Sequence, residues 1–405
     1  MATFAYQART AGGASVSGKI EAATEREAAS LLRRQGLSPV TVKKAGILAM
    51  LGVGGEPRAN VKLDDIVLFT RQLATMIVSG IPLLEALEIM QEQVDDKGFK
   101  SVLGKVINDI RSGTDFSEAL SHHPKIFTRI YVNMIRAGEA SGQLDEILNR
   151  LAEYQEAAAA LKREIKSAMT YPVISLCMVF AITIFLLIGI VPKFKDIFTS
   201  MGIKLNPLTN GLLIVSTFMQ QYWYVVILGP PALVIAAMAY RKTEKGRRQF
   251  DWLFLNLPIF GPLFQKVALS RFSRTFSTLI KSGVPILGAL EIVANTAGNV
   301  IISDAVLHAR DSVRKGENLA KPLGQSKVFP PMVVRMISVG EKSGALETLL
   351  SKISEFYDQQ VQATVEGLTS LIEPLMIGLM GVIVGGIVLA VFLPIFQLQK
   401  MLTGG

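Results

Sequence analysis

The sequence predicts an all-α integral membrane protein. It would consist of two duplicated cytoplasmic helical bundles of about six helices each, three transmembrane helices, and a small N-terminal α+β unit. Three observations support this fold class. Only 19% of the 405 residues are charged, whereas soluble domains carry about 25%, and the deficit is confined to three stretches. A long segment of the chain is repeated. The remaining segments show the apolar periodicity and the end signals of helices.

The three stretches without any charged residue are long enough to cross a membrane. They are Ser167–Pro192, Leu205–Tyr240 and Pro374–Gln399. A spanning helix needs about 20 apolar residues, so we predict transmembrane helices over 172–191, 222–240 and 374–396. The second is placed late in its stretch because the aromatic cluster at Tyr222, Trp223 and Tyr224 is typical of a membrane interface. A kink is expected within it at Pro230 and Pro231.

Basic residues beside these stretches predict the topology. They are Lys162, Arg163 and Lys166 before the first span, and Arg241, Lys242, Lys245, Arg247 and Arg248 after the second. By the positive-inside rule, both bundles lie in the cytoplasm, while residues 193–221 (a loop and a lead-in helix) and the tail 397–405 are periplasmic. The start of the sequence shows no signal-peptide pattern, so the N-terminus is expected in the cytoplasm. This topology accounts for the net charge of +9 better than a nucleic-acid partner does.

An internal duplication relates the two bundles. Residues 69–89 and 272–292 share twelve identical positions out of 21, at an offset of 203. Further along, a G-E-x-S-G pattern and two prolines recur at an offset of 202. The recurring pairs are Arg71 and Arg274, Gly80 and Gly283, Pro82 and Pro285, Glu139 and Glu341, Gly142 and Gly344, Pro172 and Pro374, and Pro192 and Pro394. We predict the bundles over 63–170 and 264–373, with a basic amphipathic juxtamembrane helix over 241–263 before the second.

Local signals predict the elements of the first bundle and of the N-terminal unit. In the bundle, Asp64 and Asp65 open a first helix, and later helices are expected from Pro82, over 97–111, from Asp115, over 127–139, and from Gln143 into the first span. Residues 1–45 form the small unit, with two pairing strands, a helix from a capping box at Thr24 to Glu27 that ends at Gly36, and a third strand. Residues 46–62 are rich in glycine and predict a flexible linker.

The sequence predicts no catalytic, cofactor or metal site. Gly340 to Ser343 resembles the end of a phosphate-binding loop, but Glu341 stands where that loop requires glycine. The related turn at Gly138 to Gly142 has its serine one residue away from the position that a nucleophile elbow requires, and it has no strand before it. A tight turn between helices is the better interpretation in both copies. His122 and His123 lack further ligands nearby in sequence, and the single cysteine, Cys177, excludes a disulfide within one chain. No span contains the charged residues that pumps and transporters use.

The repeated arginines leave three alternatives open. Arg71 and Arg274 each fall mid-helix among apolar residues. Each could be a solvated arginine whose stem covers apolar surface. Each could form a structural ion pair with Glu139 or Glu341, respectively, because a partly buried guanidinium favours a bidentate carboxylate. Each could also contact a partner protein.

The duplicated motif resembles one family specifically. The pattern R-x-x-x-T-x-I-x-S-G-x-P-x-L-x-A-L-E, the G-E-x-S-G turn, the proline opening each terminal span, and the run from Leu257 to Leu263 resemble the platform proteins of type IV pilus assembly and type II secretion. These are the PilC and general secretion F proteins. The resemblance covers essentially the whole chain.

The resemblance implies a non-enzymatic, multi-pass hub of a bacterial inner membrane with its N-terminus in the cytoplasm. It implies binding to a hexameric assembly ATPase and to inner-membrane alignment-complex proteins, and action on pilin or pseudopilin subunits. The expected partners also include the lipid bilayer and further copies of the chain, but no nucleic acid and no cofactor. The alternative is a membrane-anchored adaptor or a transporter component unrelated to filament assembly.

Overall fold

The computed structural model describes residues 2–9, 15–34, 36, 38–44, 61–200, 206–258 and 260–403. They divide into two compact units. The first comprises Met1–Lys62 and Leu87–Asn108, and the second comprises Leu63–Ala86 and Asp109–Gly405. Of the predicted linker 46–62, residues 46–60 lie outside the described part of the chain.

The N-terminal part of the first unit is an antiparallel sheet with one helix. Its strands are β1 (Ala2–Arg9), β2 (Ser15–Ala22) and β3 (Ser38–Lys44), in the order β2-β1-β3. Helix α1 (Glu25–Arg34) begins at the predicted capping box: Thr24 accepts a hydrogen bond from the Glu27 amide at 3.3 Å, and Glu27 accepts one from the Ala23 amide at 2.9 Å. Gly36 follows the helix with a φ of 77°, a conformation that glycine adopts without steric cost.

The first copy of the repeat contains six helices, as predicted. They are α2 (Leu63–Val78), α3 (Leu83–Gln93), α4 (Lys97–Arg111), α5 (Phe116–Ser121), α6 (Arg129–Ser141) and α7 (Leu144–Phe185). Each connection before α3, α5 and α7 contains a glycine with positive φ, at positions 80, 113 and 142. These glycines end their helices because the left-handed conformation cannot continue an α-helix.

The helix that leaves the first copy continues well beyond the predicted span. A π-helical turn (Leu186–Ile190) follows α7 and leads directly into α8 (Val191–Ser200). Next come α9 (Pro207–Gln221), α10 (Trp223–Arg241) and α11 (Glu244–Asn256). Part of the predicted extracytoplasmic loop is therefore helical, since residues 193–200 belong to α8.

The second copy repeats the six-helix plan. Its helices are α12 (Gly261–Lys281), α13 (Ile286–Thr296), α14 (Val300–Arg314), α15 (Ala320–Gly324), α16 (Pro331–Ser343) and α17 (Leu346–Thr403). Helix α17 runs through Pro374 and Pro394, so the predicted tail from 397 is helical as far as Thr403.

Three helices of the described chain are long and apolar enough to cross a membrane, as predicted. They are Leu144–Phe194, Trp223–Arg241 and Leu346–Pro394. The last helix of each copy therefore continues directly into an apolar stretch, with no loop between the two segments. The second helix differs because no residue of its apolar window is buried within the described structure.

A pair of phenylalanines recurs in the cores of the two copies. Phe69 and Phe127 have ring centroids 6.3 Å apart, and their equivalents Phe272 and Phe329 are 5.0 Å apart. In the first copy Tyr131 extends the cluster, 5.1 Å from Phe127. Its hydroxyl accepts a hydrogen bond from Thr70, and burial raises the pKa of the Tyr131 phenol. Repeated aromatic contacts of this kind fix the first helix of each copy against the segment that precedes its fifth helix.

Helix α11 is fastened to the second copy by its polar face. Asp251 is 2% exposed, accepts a hydrogen bond from the Val300 amide at 2.8 Å, and lies 3.3 Å from Arg241. It therefore occupies the positive N-terminal end of α14, where a carboxylate is stabilising. The apolar side chains of Trp252 and Leu253 remain exposed, as an amphipathic helix predicts.

Candidate functional site

The repeated arginine of the first copy joins its first helix to its last. Arg71 on α2 donates from Nε and Nη2 to the two carboxylate oxygens of Glu156 on α7, at 2.6 and 2.7 Å. Its Nη1 also donates to Asn149 at 2.7 Å. The bidentate ion pair that we considered for Arg71 is present, but its predicted partner, Glu139, was wrong. The pair is about a third exposed at the arginine.

The second copy contains the same connection in a more buried setting. Arg274 on α12 pairs with Asp358 on α17, and their side chains are only 18% and 25% exposed. Ser270 donates to the other carboxylate oxygen of Asp358. The predicted partner, Glu341, was again wrong. In both copies the arginine links the first helix to the helix that continues into an apolar span.

Burial separates the electrostatics of these two ion pairs. The hydrogen bond to Glu156 raises the pKa of Arg71, and the same bond lowers the pKa of Glu156. For Arg274, desolvation lowers the pKa, while Tyr154 and Glu355 oppose the shift. Removing the Arg274 guanidinium from water is unfavourable, so its charge depends more strongly on the Asp358 carboxylate than the charge of Arg71 depends on Glu156.

The sequence does not single out the carboxylate partners. Glu156 and Asp358 are related by the offset of 202 that relates the later parts of the two copies. They are both acidic, but they differ in type and lie outside the motif. Acidic residues also recur at this offset as Glu153 and Glu355, Asp145 and Glu347, and Glu164 and Glu366, so recurring charge does not select the pair.

The motif glutamates instead cap a short helix in each copy. Both carboxylate oxygens of Glu139 accept from the Ser117 amide at 3.2 Å, at the start of α5. Glu341 accepts from the Leu319 amide at 2.8 Å, just before α15. Ser117 and Leu319 are themselves equivalent at the offset of 202. A carboxylate at this position satisfies amides that a helix leaves unpaired and opposes its positive end.

The glycines of the motif serve close packing and chain reversal. A Cβ on Gly340 would lie 2.9 Å from the Leu346 Cα, and one on Gly138 would lie 3.3 Å from the Leu144 Cα. Gly142 and Gly344 end α6 and α16 with φ near 70°. The G-E-x-S-G pattern therefore forms a tight turn between helices in both copies. Because Gly340 to Ser343 lie inside α16, their amides belong to a helix and do not form a phosphate cradle.

The other recurring residues also begin or continue helices. Pro82 and Pro285 precede α3 and α13, and their carbonyls accept from Ala86 and Ala289, each at 2.9 Å.

His122 caps the end of α5 and lies 3.3 Å from Asp109. Within the described residues, no group of three or more metal-ligating side chains is placed to hold an ion.

The long helices of the two copies pack on each other in the second unit. The Tyr154 hydroxyl on α7 lies 3.2 Å from the Thr275 hydroxyl on α12, and Arg150 donates to the Lys281 carbonyl. Nearer the membrane stretch, apolar residues of α7 pack against a cluster on α12 and α17. Those of α7 are Leu161, Ile165, Ala168 and Met169, and the cluster is Leu263, Val361, Val365 and Leu368.

Helix α9 satisfies carbonyls that the duplicated prolines leave free. Proline has no amide hydrogen, so Pro394 cannot donate to the Ala390 carbonyl, and Pro192 cannot donate to the carbonyls four and five residues before it, those of Ile188 and Leu187. Gln220 donates to the Ile188 carbonyl at 3.1 Å, and Thr209 donates to the Ala390 carbonyl at 2.6 Å. Ser216 supplies a third such bond, to Leu187 in the π-helical turn, at 2.6 Å. One helix thus connects the distal ends of both long helices.

An apolar cluster surrounds these hydrogen bonds and joins the same three segments. It consists of Leu187, Val191, Leu213, Ile387 and Val391. Buried hydroxyls bonded to main-chain carbonyls fix helix positions more specifically than apolar contacts alone. The geometry therefore couples the two copies twice, once beside their bundles and once at the far ends of their long helices.

Comparison with known proteins agrees with the duplicated architecture. The family "Type II secretion system (T2SS), protein F" matches residues 69–192 and again 272–394, and the "Type II secretion system protein F, N-terminal domain" matches residues 1–43. The chain is 44% identical to the type IV pilus assembly protein PilC of Thermus thermophilus, over the full length of both. It is 42% identical to PilC of Myxococcus xanthus, over 98% of this chain and 95% of that protein. It is 33% identical, over both full lengths, to the type II secretion system protein F of Vibrio cholerae.

Proposed function

Because this chain belongs to the type II secretion system protein F family, we propose that it is a non-enzymatic platform protein of a type IV pilus assembly or type II secretion machine. In this proposal it couples a cytoplasmic assembly ATPase to the extraction of pilins from the membrane and their addition to a filament. Relatives named for both machines match over nearly their whole lengths. The proposed partners are the hexameric ATPase, inner-membrane alignment proteins, pilin or pseudopilin subunits, and further copies of the chain.

The observation that carries this proposal is the continuity of bundle and span. Helix α7 extends for 42 residues and α17 for 58, each from a bundle into an apolar stretch. An α-helix rises 1.5 Å per residue, so α7 alone is about 63 Å long. The ion pairs at Arg71 and Arg274 fasten each long helix to the first helix of its copy. A displacement imposed on a bundle would therefore reach the membrane along a stiff element.

Membrane placement in this proposal follows the charge distribution. The three apolar helices cross an inner membrane, and the bundles and N-terminus face the cytoplasm. In a Cys177→Ala background, cysteines at Gly113 and Gly316 should resist impermeant thiol reagents, while one at Asn210 should react once the outer barrier is opened. Asn210 is exposed, whereas the neighbouring Thr209 is buried and would label poorly. Labelling of Gly316 from outside would contradict the three-crossing topology.

The stiffness of α7 provides the functional test. Ala158→Pro removes the helical donor to the Tyr154 carbonyl and costs roughly 3 kcal/mol or more in a helix interior. We expect a protein that still inserts and still binds the ATPase in pull-downs but no longer supports piliation or secretion. Ala160→Gln, on the same segment and exposed, is the matched control and should retain assembly. Normal assembly with Ala158→Pro would refute coupling through this helix.

The non-enzymatic part of the proposal has its own test. The purified chain alone is expected to hydrolyse no ATP above the rate of a detergent blank. ATP turnover that Lys342→Ala abolishes would contradict the platform assignment and favour an enzyme.

A further inference from the structure

A groove of about 570 Å³ lies between the copies, at the level where the first apolar stretch begins. One wall is α7 from Tyr154 to Ile174, and the other is α12 from Val267 to Arg274. Both walls belong to the second unit. The floor is apolar and includes Ile165, Met169 and Val267.

Three cations without a carboxylate partner line this groove. Lys162 and Lys166 lie one helical turn apart on α7, and Arg271 lies on α12. They are all exposed, and in the described part of the chain no acidic side chain is within ion-pair distance of any of them. Arg274 also borders the groove, but Asp358 neutralises it. The groove thus has a net positive mouth above an apolar floor.

The spacing of charge and apolar surface along α7 defines the shape of the ligand. From Lys162 to Ile174 the helix rises about 18 Å, and from Lys166 to Ile174 about 12 Å. Val173 and Ile174 are each 57% exposed at the apolar end of the groove. A free phosphate would leave the apolar floor at Ile165, Met169 and Val267, which lies outside the predicted span, in water, and a neutral lipid would leave three cations unpaired. A molecule with an anionic head and an apolar chain satisfies both ends.

The geometry points to a bound anionic phospholipid, with its phosphate among Lys162, Lys166 and Arg271 and one acyl chain along Ile165, Met169 and Val267. Basic pockets between membrane helices on the cytoplasmic side bind anionic head groups in this way. The lipid fills the space between α7 and α12 at the level where the first apolar stretch begins. This inference rests on the membrane placement proposed above.

Native mass spectrometry of the full chain tests the assignment. The protein is extracted in mild detergent with equal amounts of phosphatidylglycerol and phosphatidylcholine that carry the same acyl chains. The unmodified chain is expected to retain phosphatidylglycerol preferentially. Lys166→Gln and Arg271→Gln should each lower the ratio of retained phosphatidylglycerol to phosphatidylcholine about fivefold, the effect of one cation near a lipid head group.

A matched control separates this site from general surface charge. Lys125→Gln with Lys327→Gln removes two exposed lysines far from the apolar stretches in sequence and should leave the ratio unchanged. Val267→Phe narrows the apolar floor without altering charge and should also lower phosphatidylglycerol retention. Equal retention of the two lipids by the unmodified chain, or an equal loss in the lysine control, would overturn the assignment. Displacement of the lipid by glycerol 3-phosphate at similar concentrations would show that the acyl chain contributes nothing and would overturn it too.

Photo-crosslinking distinguishes a lipid from a partner helix. A benzophenone amino acid at Ile165, on the groove floor before the predicted span, should capture lipid in cells, and exclusive capture of a protein would refute the lipid. Carbonate extraction of the same membranes separates the two proposals. Release of the chain by carbonate would mean that the proposed membrane placement fails. Retention in the membrane with no lipid preference would mean that only the lipid assignment fails.

Discussion

Replacing Arg274 with alanine is expected to destabilise the protein more than the same replacement of Arg71, although the two residues occupy equivalent positions of the repeat. The Arg274 side chain is 18% exposed and that of its partner Asp358 is 25% exposed, against 34% and 41% for Arg71 and Glu156. Removing one partner of a buried ion pair costs roughly 3–5 kcal/mol, whereas exposed pairs contribute about 0–1 kcal/mol. Neither pair is at either limit.

The structure places each variant between those limits. Arg274→Ala leaves Asp358 with only the Ser270 hydroxyl as a described donor, so we expect a loss of about 2–4 kcal/mol. Arg71→Ala leaves Glu156 close to solvent, which replaces much of the lost interaction, so we expect about 1 kcal/mol. The assay is the unfolding midpoint of the full chain in detergent, measured side by side for each variant.

Arg163→Ala is the matched control for this comparison. Arg163 and Asp64 form a pair at 3.9 Å in which both side chains are 65% exposed, and its loss should leave the midpoint unchanged. The double variant Arg274→Ala with Asp358→Ala should recover part of the loss, because it removes the unpaired buried charge. A midpoint for Arg71→Ala at or below that of Arg274→Ala would refute the argument from burial.

Three further predictions follow from the hydrogen bonds of the described residues. The pKa of Glu156 is lowered in the folded protein, so its pair with Arg71 stabilises the fold fully above the unfolded pKa of about 4.3. This stabilisation is lost as the pH falls through the lower folded pKa. The difference in stability between the unmodified chain and Arg71→Ala should therefore disappear with acidification. Glu341→Ala leaves the amide at the start of α15 unpaired and should lower the free energy of unfolding by about 1–3 kcal/mol, which is measured as a lower unfolding midpoint. Thr209→Val keeps the side-chain shape but leaves the Ala390 carbonyl without its donor, and should cost about 1–2 kcal/mol and increase protease access to α9.

Each of these three predictions has a control variant or an outcome that would contradict it. For acidification, a gap that stays constant from neutral pH to pH 3 would show that Glu156 does not titrate with the pair. Glu118→Ala, on an exposed carboxylate, should leave the midpoint unchanged where Glu341→Ala lowers it. Thr217→Val removes a hydroxyl bonded only to Leu213 within its own helix, and an effect as large as that of Thr209→Val would contradict the role assigned to the link with α17.

Much of the fold could be predicted because its signals are local. Length identifies the first and third spans, and the aromatic cluster at Tyr222 to Tyr224 places the second. The glycines at 80, 113 and 142 mark helix ends through the backbone conformation that they adopt. The capping box at Thr24 fixed the start of α1 within a few residues. The prediction of a loop directly after Pro192 and of a tail from residue 397 was less successful. Donors from α9 compensate for the missing amide of each proline, and the helices continue.

The candidate site depended more on tertiary packing. The repeat identified Arg71, Arg274 and the motif glutamates as special, and the expectation of a bidentate carboxylate for Arg71 was sound chemistry. The choice of Glu139 as the partner was wrong because Arg71 and Glu156 are 85 residues apart and meet only through the way α2 packs on α7.

The sequence by itself therefore determined the number of spans, the duplication and most helix ends, since each depends on apolar length, recurrence or the conformation of a single residue. Only the tertiary structure decided which carboxylate neutralises each arginine, which helix satisfies the proline-freed carbonyls, and where the two copies touch. The physical reason is that a hydrogen bond requires two groups within about 3 Å, and distances between residues on different helices follow from packing angles that the one-dimensional pattern does not contain.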